Sequence, residues 1–248
     1  MKKYELTTNS ITVGGQKLYR IRALKSFYCN GKNVQYGDLG GFVQSAKNLS
    51  QDGECWIFDD AKVYGNAEVY GNAAIEKNAE VYGFAEVYGE ATVTDNAMVY
   101  EYAEVYDEGI ISDNAKIYGN AEVYGGAEVY GDSDIHGRAE ICGDTHIFGF
   151  VEISKECKIS DDCKYLYMTC VGLSHSDITF YVNKDNKVMV TYEPVDVPEF
   201  DGKTYEGPIS GLKKILSKLK FTNPLVYHEY KKLFKFAKYH FRINKSDN

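Results

Sequence analysis

Five glutamates, Glu68, Glu86, Glu104, Glu122 and Glu140, recur every eighteen residues, and Tyr70, Tyr88, Tyr106 and Tyr124 each follow the first four by two. Carboxylates set in a row can hold cations, or present the negative charge that a basic protein surface recognises. Phenol rings in a row can stack on one another, or offer a platform to bases or a protein partner. Phe84 and Tyr102 place two further aromatics where Asn66 and Asn120 stand in the flanking coils. Nothing in the repeat demands an aromatic there, so this pair is the sharper contact candidate. Other reactive types are sparse. Six Cys contain no C-x-x-C pair, and no His, Cys and Asp group has ligand spacing, so neither a metal site nor a disulfide framework is expected. The glycines of the repeat belong to corners rather than to a phosphate-binding loop. No cofactor is called for.

These residues are positioned by a hexapeptide that repeats from Cys55 to Cys163, as in Ala61-Lys-Val-Tyr-Gly-Asn and Ala67-Glu-Val-Tyr-Gly-Asn. Apolar residues at spacings of two and six cannot share one face of an α-helix. Alternation along a short strand instead sends Ala and Val inward and Glu and Tyr outward. Gly-Asn, Asp-Asn or Gly-Asp then supplies a corner, because Gly and Asn adopt left-handed backbone angles cheaply. The reading is a β-solenoid of about six coils.

With three hexapeptides to a coil, as the family resemblance given below implies, positions eighteen apart stack and give three unequal faces. The first carries the Glu and Tyr columns. The second carries Lys62, Glu80, Met98, Lys116 and Asp134 beside Tyr64, Tyr82, Tyr100, Tyr118 and His136. The third presents small or apolar residues outward: Ala74, Thr92, Thr94, Ile110 and Ser112 are the residues expected at an oligomer interface, or beneath a docked terminal segment. Stacked side chains lie about 4.8 Å apart, so tyrosine columns stabilise the coil by themselves. Like-charged glutamates at that spacing repel. The Glu column therefore reads as a solvated face, a surface for a basic partner, or a mimic of a nucleic-acid backbone. The last is weakened by a phosphate rise of about 3.4 Å per strand.

The pairs Val63/Ala67, Val69/Ala73, Ile75/Ala79 and Val81/Ala85 resemble the motif of the hexapeptide-repeat, left-handed parallel β-helix family, in which three hexapeptides make one triangular coil. The chain departs from that motif in placing Tyr after the aliphatic residue. Many members are trimeric acyltransferases, and the resemblance implies His136 or His146 as the general base of such an activity. No loop interrupts the repeat to build a pocket over either histidine, and no catalytic residue is expected. Gly40-Gly41-Phe42, Asn48-Leu-Ser and Cys55-Trp-Ile resemble the wording of hexapeptide-rich proteins of bacteriophage and prophage. That resemblance implies action on a host factor: a defence nuclease, an RNA-guided effector such as CRISPR-Cas, or a nucleotide signal.

The flanks complete the expectation. Residues 1–54 read as an N-terminal β cap with a hairpin turning at Gly14-Gly15, 55–164 as the solenoid, and 165–248 as a C-terminal α+β domain. In the last, Asp177–Val182 and Lys187–Tyr192 form a hairpin. One helix runs from Pro208 to Lys220, and a second, capped by Asn223, starts at Pro224 and ends near Arg242. Of the net charge of −8, the stretch from Asp201 onward contributes eleven Lys and Arg against four Asp and Glu, leaving −15 on the remainder. No apolar run is long enough for a membrane span, and a cytoplasmic protein is expected. The sequence thus points to a non-catalytic binding protein. Its partner would be a host protein or ribonucleoprotein, with a nucleic acid or nucleotide as the further candidates, and its assembly a monomer, dimer or trimer. A trimeric acyltransferase and a structural rod of a virion or filament are the alternatives.

Overall fold

The computed structural model describes residues 2–154, 156–160, 165–171, 176–183, 185–192, 204–222 and 224–241. Two-residue strands, one per hexapeptide, stack into three parallel sheets, and the partners lie eighteen residues apart. Glu68, Glu86, Glu104 and Glu122 pair in sequence on one sheet, and Lys62, Glu80 and Met98 on another. The third runs Trp56, Ala74, Thr92, Ile110, Glu128, His146. Two sheets have six strands each, and the remaining one continues into the N-terminal segment to reach nine. The mainly β, parallel solenoid read from the sequence is the observed architecture.

The hexapeptide explains the geometry. Inward Ala and Val or Ile are fully buried from Ala61 to Val129, and each outward N–H reaches a carbonyl of the next coil, as in Glu86 N to Ala103 O at 3.0 Å. Each corner opens with a left-handed residue. Gly83 has φ +77°, and a Cβ there would lie 2.9 Å from the backbone nitrogen of Glu101 one coil on. Asp95, Asp107 and Asp113 take the same conformation, which short polar side chains tolerate. Lys77 (φ +55°) and Glu101 (φ +61°) do so without that advantage.

The N-terminal end is closed by three strands. Tyr4–Val13 (β1) and Gln16–Ala23 (β2) form the expected hairpin, with Gly14 and Gly15 at positive φ. Leu39–Val43 (β5) pairs antiparallel with β2 and parallel with Lys62–Val63 of the solenoid, joining cap to coil. Lys3 is wholly buried beneath this cap. Its ammonium donates to Cys55 O at 2.9 Å and approaches the carbonyls of Asp52 and Gly53 at 3.5 Å, so it supplies donors to an end that has no preceding coil.

A second hairpin, Phe27–Cys29 (β3) with Lys32–Val34 (β4), was not anticipated, although its Asn30-Gly31 turn is the strongest short hairpin signal in the segment. It folds over the beginning of the third face. Phe27 meets Trp56 edge-on at 5.4 Å, Lys32 pairs with Glu76 at 2.6 Å, and Asn30 Nδ2 donates to Thr92 Oγ1 at 2.7 Å.

After the coils, Tyr165–Val171, Ser176–Val182, Val188–Tyr192 and Tyr205–Pro208 form a four-stranded antiparallel sheet that includes the expected hairpin. The single helix expected over 208–220 is two: Ile209–Leu216 (α1) and Leu219–Thr222 (α2), separated at Ser217, whose hydroxyl donates to Lys214 O. The final helix is Pro224–His240 (α3). Ile209, Leu212, Leu216, Leu219, Tyr230, Leu233, Phe234 and Ala237 bury their side chains with the sheet. The Asn223 cap lies outside the described residues.

Candidate binding face

The first face is a bonded ladder rather than two independent columns. Tyr70 Oη donates to Glu86 at 2.7 Å, Tyr88 to Glu104 at 3.0 Å, Tyr106 to Glu122 at 2.9 Å and Tyr124 to Glu140 at 3.1 Å. Each bond spans sixteen residues, from a tyrosine to the glutamate diagonally above it. The rings stack within 5° of parallel, 4.8 to 5.0 Å apart. Burial, together with the neighbouring carboxylates, raises the phenols of Tyr70, Tyr88 and Tyr106 well above their usual range, so they remain hydrogen-bond donors. The Glu column therefore has a role within the fold that charge repulsion alone concealed: each carboxylate from Glu86 to Glu140 is an acceptor the phenols need.

Lys158 ends the column. Its ammonium donates to Tyr124 Oη at 2.6 Å and Glu140 at 2.9 Å, and lies 5.3 Å over the Tyr124 ring. The Glu140 carboxyl is lowered, chiefly by that lysine. Beside it, Asn120, Glu122, Arg138, Glu140, Glu156, Cys157 and Lys158 line a cleft of ≈ 270 Å³. Both of its cations are paired, Lys158 with Glu140 and Arg138 3.4 Å from Glu156, while Glu122 accepts from Tyr106.

On the second face the ladder is broken. Tyr64 donates to Glu80, but Met98 and Lys116 stand where later tyrosines would find acceptors. His136 occupies a tyrosine position there, stacked 4.7 Å from Tyr118 with Nε2 3.3 Å from Glu152. His146 is exposed on the third face, and neither histidine lines the cleft. Among the described residues, no three His, Cys, Asp or Glu side chains converge as metal ligands.

Phe84 and Tyr102 stack at 5.0 Å on the corner beside the first face, 52% and 58% exposed. Tyr102 differs from every ladder tyrosine on the first face in making no side-chain hydrogen bond among the described residues. This pair and the ladder form one continuous surface, since Phe84 precedes Glu86, and Tyr102 precedes Glu104, by two residues.

The five third-face residues part company. Ala74 is wholly buried, and the chain's own β3–β4 hairpin covers this part of the face, so Ala74 is not available to a second copy. Thr92 is bonded to Asn30 of the same hairpin. Thr94 Oγ1 is buried without a hydrogen bond among the described residues. Ile110 is 36% exposed beyond the hairpin, followed by Ser112. Of the two coverings expected, a docked terminal segment accounts for the start of this face.

No family model matches the chain, and no curated protein matches it either. Among the described residues, no helix is long and apolar enough to cross a membrane.

Proposed function

We propose that the chain is a non-catalytic interaction protein whose partner docks on the first face and its adjoining corner. The observation that carries this reading is the exposed Phe84–Tyr102 stack: its side chains make no polar bond among the described residues, and it adjoins a row of carboxylates. Exposed, rigid aromatics flanked by charge are the composition of binding hot spots. The partner that fits has basic side chains around an apolar recess, as in a host nuclease or the nucleic-acid channel of an RNA-guided effector. The wording shared with phage proteins supports the same setting, in which binding neutralises a host factor. His136 supports it too, because its stacked, bonded place makes it a rung of the tyrosine column.

The test is affinity capture from host lysate with the wild type, Phe84→Ala/Tyr102→Ala, Glu86→Gln/Glu104→Gln and His136→Phe. A stoichiometric basic partner retained by the wild type and His136→Phe, and lost by the other two, is the expected result. Acyl transfer from coenzyme A that disappears in His136→Phe would overturn it.

A further inference from the structure

We infer that α3 of one copy docks on the tyrosine–glutamate ladder of another, so that the chain associates with itself head to tail. The inference rests on the first face being a binding surface, and it names a second copy of this chain as an occupant. Lys158 shows what the ladder accepts: one ammonium bonds a phenol and a carboxylate together and lies over the ring. Tyr70/Glu86, Tyr88/Glu104 and Tyr106/Glu122 repeat that pairing with no lysine in place among the described residues.

α3 carries the complement. His228, Lys231, Lys235 and Lys238 fall on one stripe, opposite buried Tyr230, Leu233 and Ala237. None of the three lysines forms an ion pair among the described residues. At 1.5 Å rise per residue the three lysines span roughly 10 Å from Lys231 to Lys238. The two ladder steps between the three open rungs, 4.8 and 5.0 Å, cover almost the same length. Beside the stripe, Tyr239 is 83% exposed, placed to meet an aromatic ring while the lysines meet carboxylates. A nucleic-acid strand offers phosphates to the lysines, but it leaves the acidic ladder unanswered, and the ladder would repel it. Because helix and ladder are different surfaces, the contact is heterologous and can repeat from copy to copy.

The experiment is sedimentation at low and high ionic strength, about 0.02 M and about 0.5 M, of the wild type, K231E/K235E/K238E and E86K/E104K/E122K. The expected result is a wild-type mass above 28.0 kDa at low salt that returns to 28.0 kDa at high salt. Each variant alone stays at the monomer mass, and mixing the two restores association. The lysine variant alters no buried position, with Lys231 and Lys235 exposed and Lys238 half-buried, so it keeps the test sound if the glutamate variant misfolds. A wild type monomeric at both salts, association that survives K231E/K235E/K238E, or a single-stranded oligonucleotide bound through those lysines would each overturn the proposal. Titration with poly-L-lysine separates the two readings. If the chain is monomeric but poly-L-lysine binds and is lost in Glu86→Gln/Glu104→Gln, self-docking fails and the binding face stands. If poly-L-lysine does not bind, both fail.

Discussion

Replacing Tyr106 by Phe removes one phenol bond to Glu122 and keeps the ring stack. The expected cost is about 1 kcal/mol, from the urea midpoint at unchanged slope. Tyr102→Phe is the matched control: its hydroxyl is unbonded among the described residues, so stability should move by less than about 0.5 kcal/mol. Burial and neighbouring carboxylates also set a pH limit, on the second face. Tyr118 is pushed up to about 12, first by burial and then by Asp134 and Glu152. A raised phenol favours the fold while it is neutral. The stability it contributes is therefore complete below the ordinary phenol pKa near 10, and is lost as pH rises through about 12. Tyrosinate absorbance followed with the unfolding midpoint from about pH 9 to 12 should show both changing together. The columns themselves were legible, because the resemblance to a family with three hexapeptides per coil implies stacking at eighteen residues. The diagonal Tyr-to-Glu bond was not, because comparing like positions never sets a tyrosine against a glutamate sixteen residues away.

Among the elements, the cap makes the most specific prediction. Lys3→Met leaves Cys55 O without its buried donor and should cost roughly 1–3 kcal/mol. Trp56, the sole tryptophan, is buried between Tyr4 and Phe27 and reports the result, with its emission shifting to longer wavelength if the end opens. Unchanged emission and stability would show that the cap does not depend on this lysine. The first hairpin could be read from Gly14-Gly15 and the stripes of the final helices from their spacing. The β3–β4 hairpin was passed over because three-residue strands give too short an alternation to register. A buried lysine has no sequence signature at all, since lysine is ordinarily a surface residue. At the other end, Ser217 divides a helix whose apolar spacing runs on unbroken, because its hydroxyl competes locally for Lys214 O.

At the scale of the whole molecule, a rod with an acidic, aromatic first face carries a basic helix on a small C-terminal unit. The solenoid core is built mainly from inward Ala, Val and Ile, so its outward positions are largely free to vary without changing the coil. That freedom explains why the repeat declares the architecture plainly and the partner hardly at all. What marks the contact surface is departure from the repeat: Phe84 and Tyr102 where a corner otherwise carries Asn.

The most direct measurement is native mass spectrometry of the chain captured gently from its host's lysate, beside Phe84→Ala/Tyr102→Ala. The account predicts a stoichiometric basic protein or ribonucleoprotein on the wild type, absent from a variant that melts within a few degrees of it. The same company on both, or a bare chain that picks up coenzyme A, would contradict it.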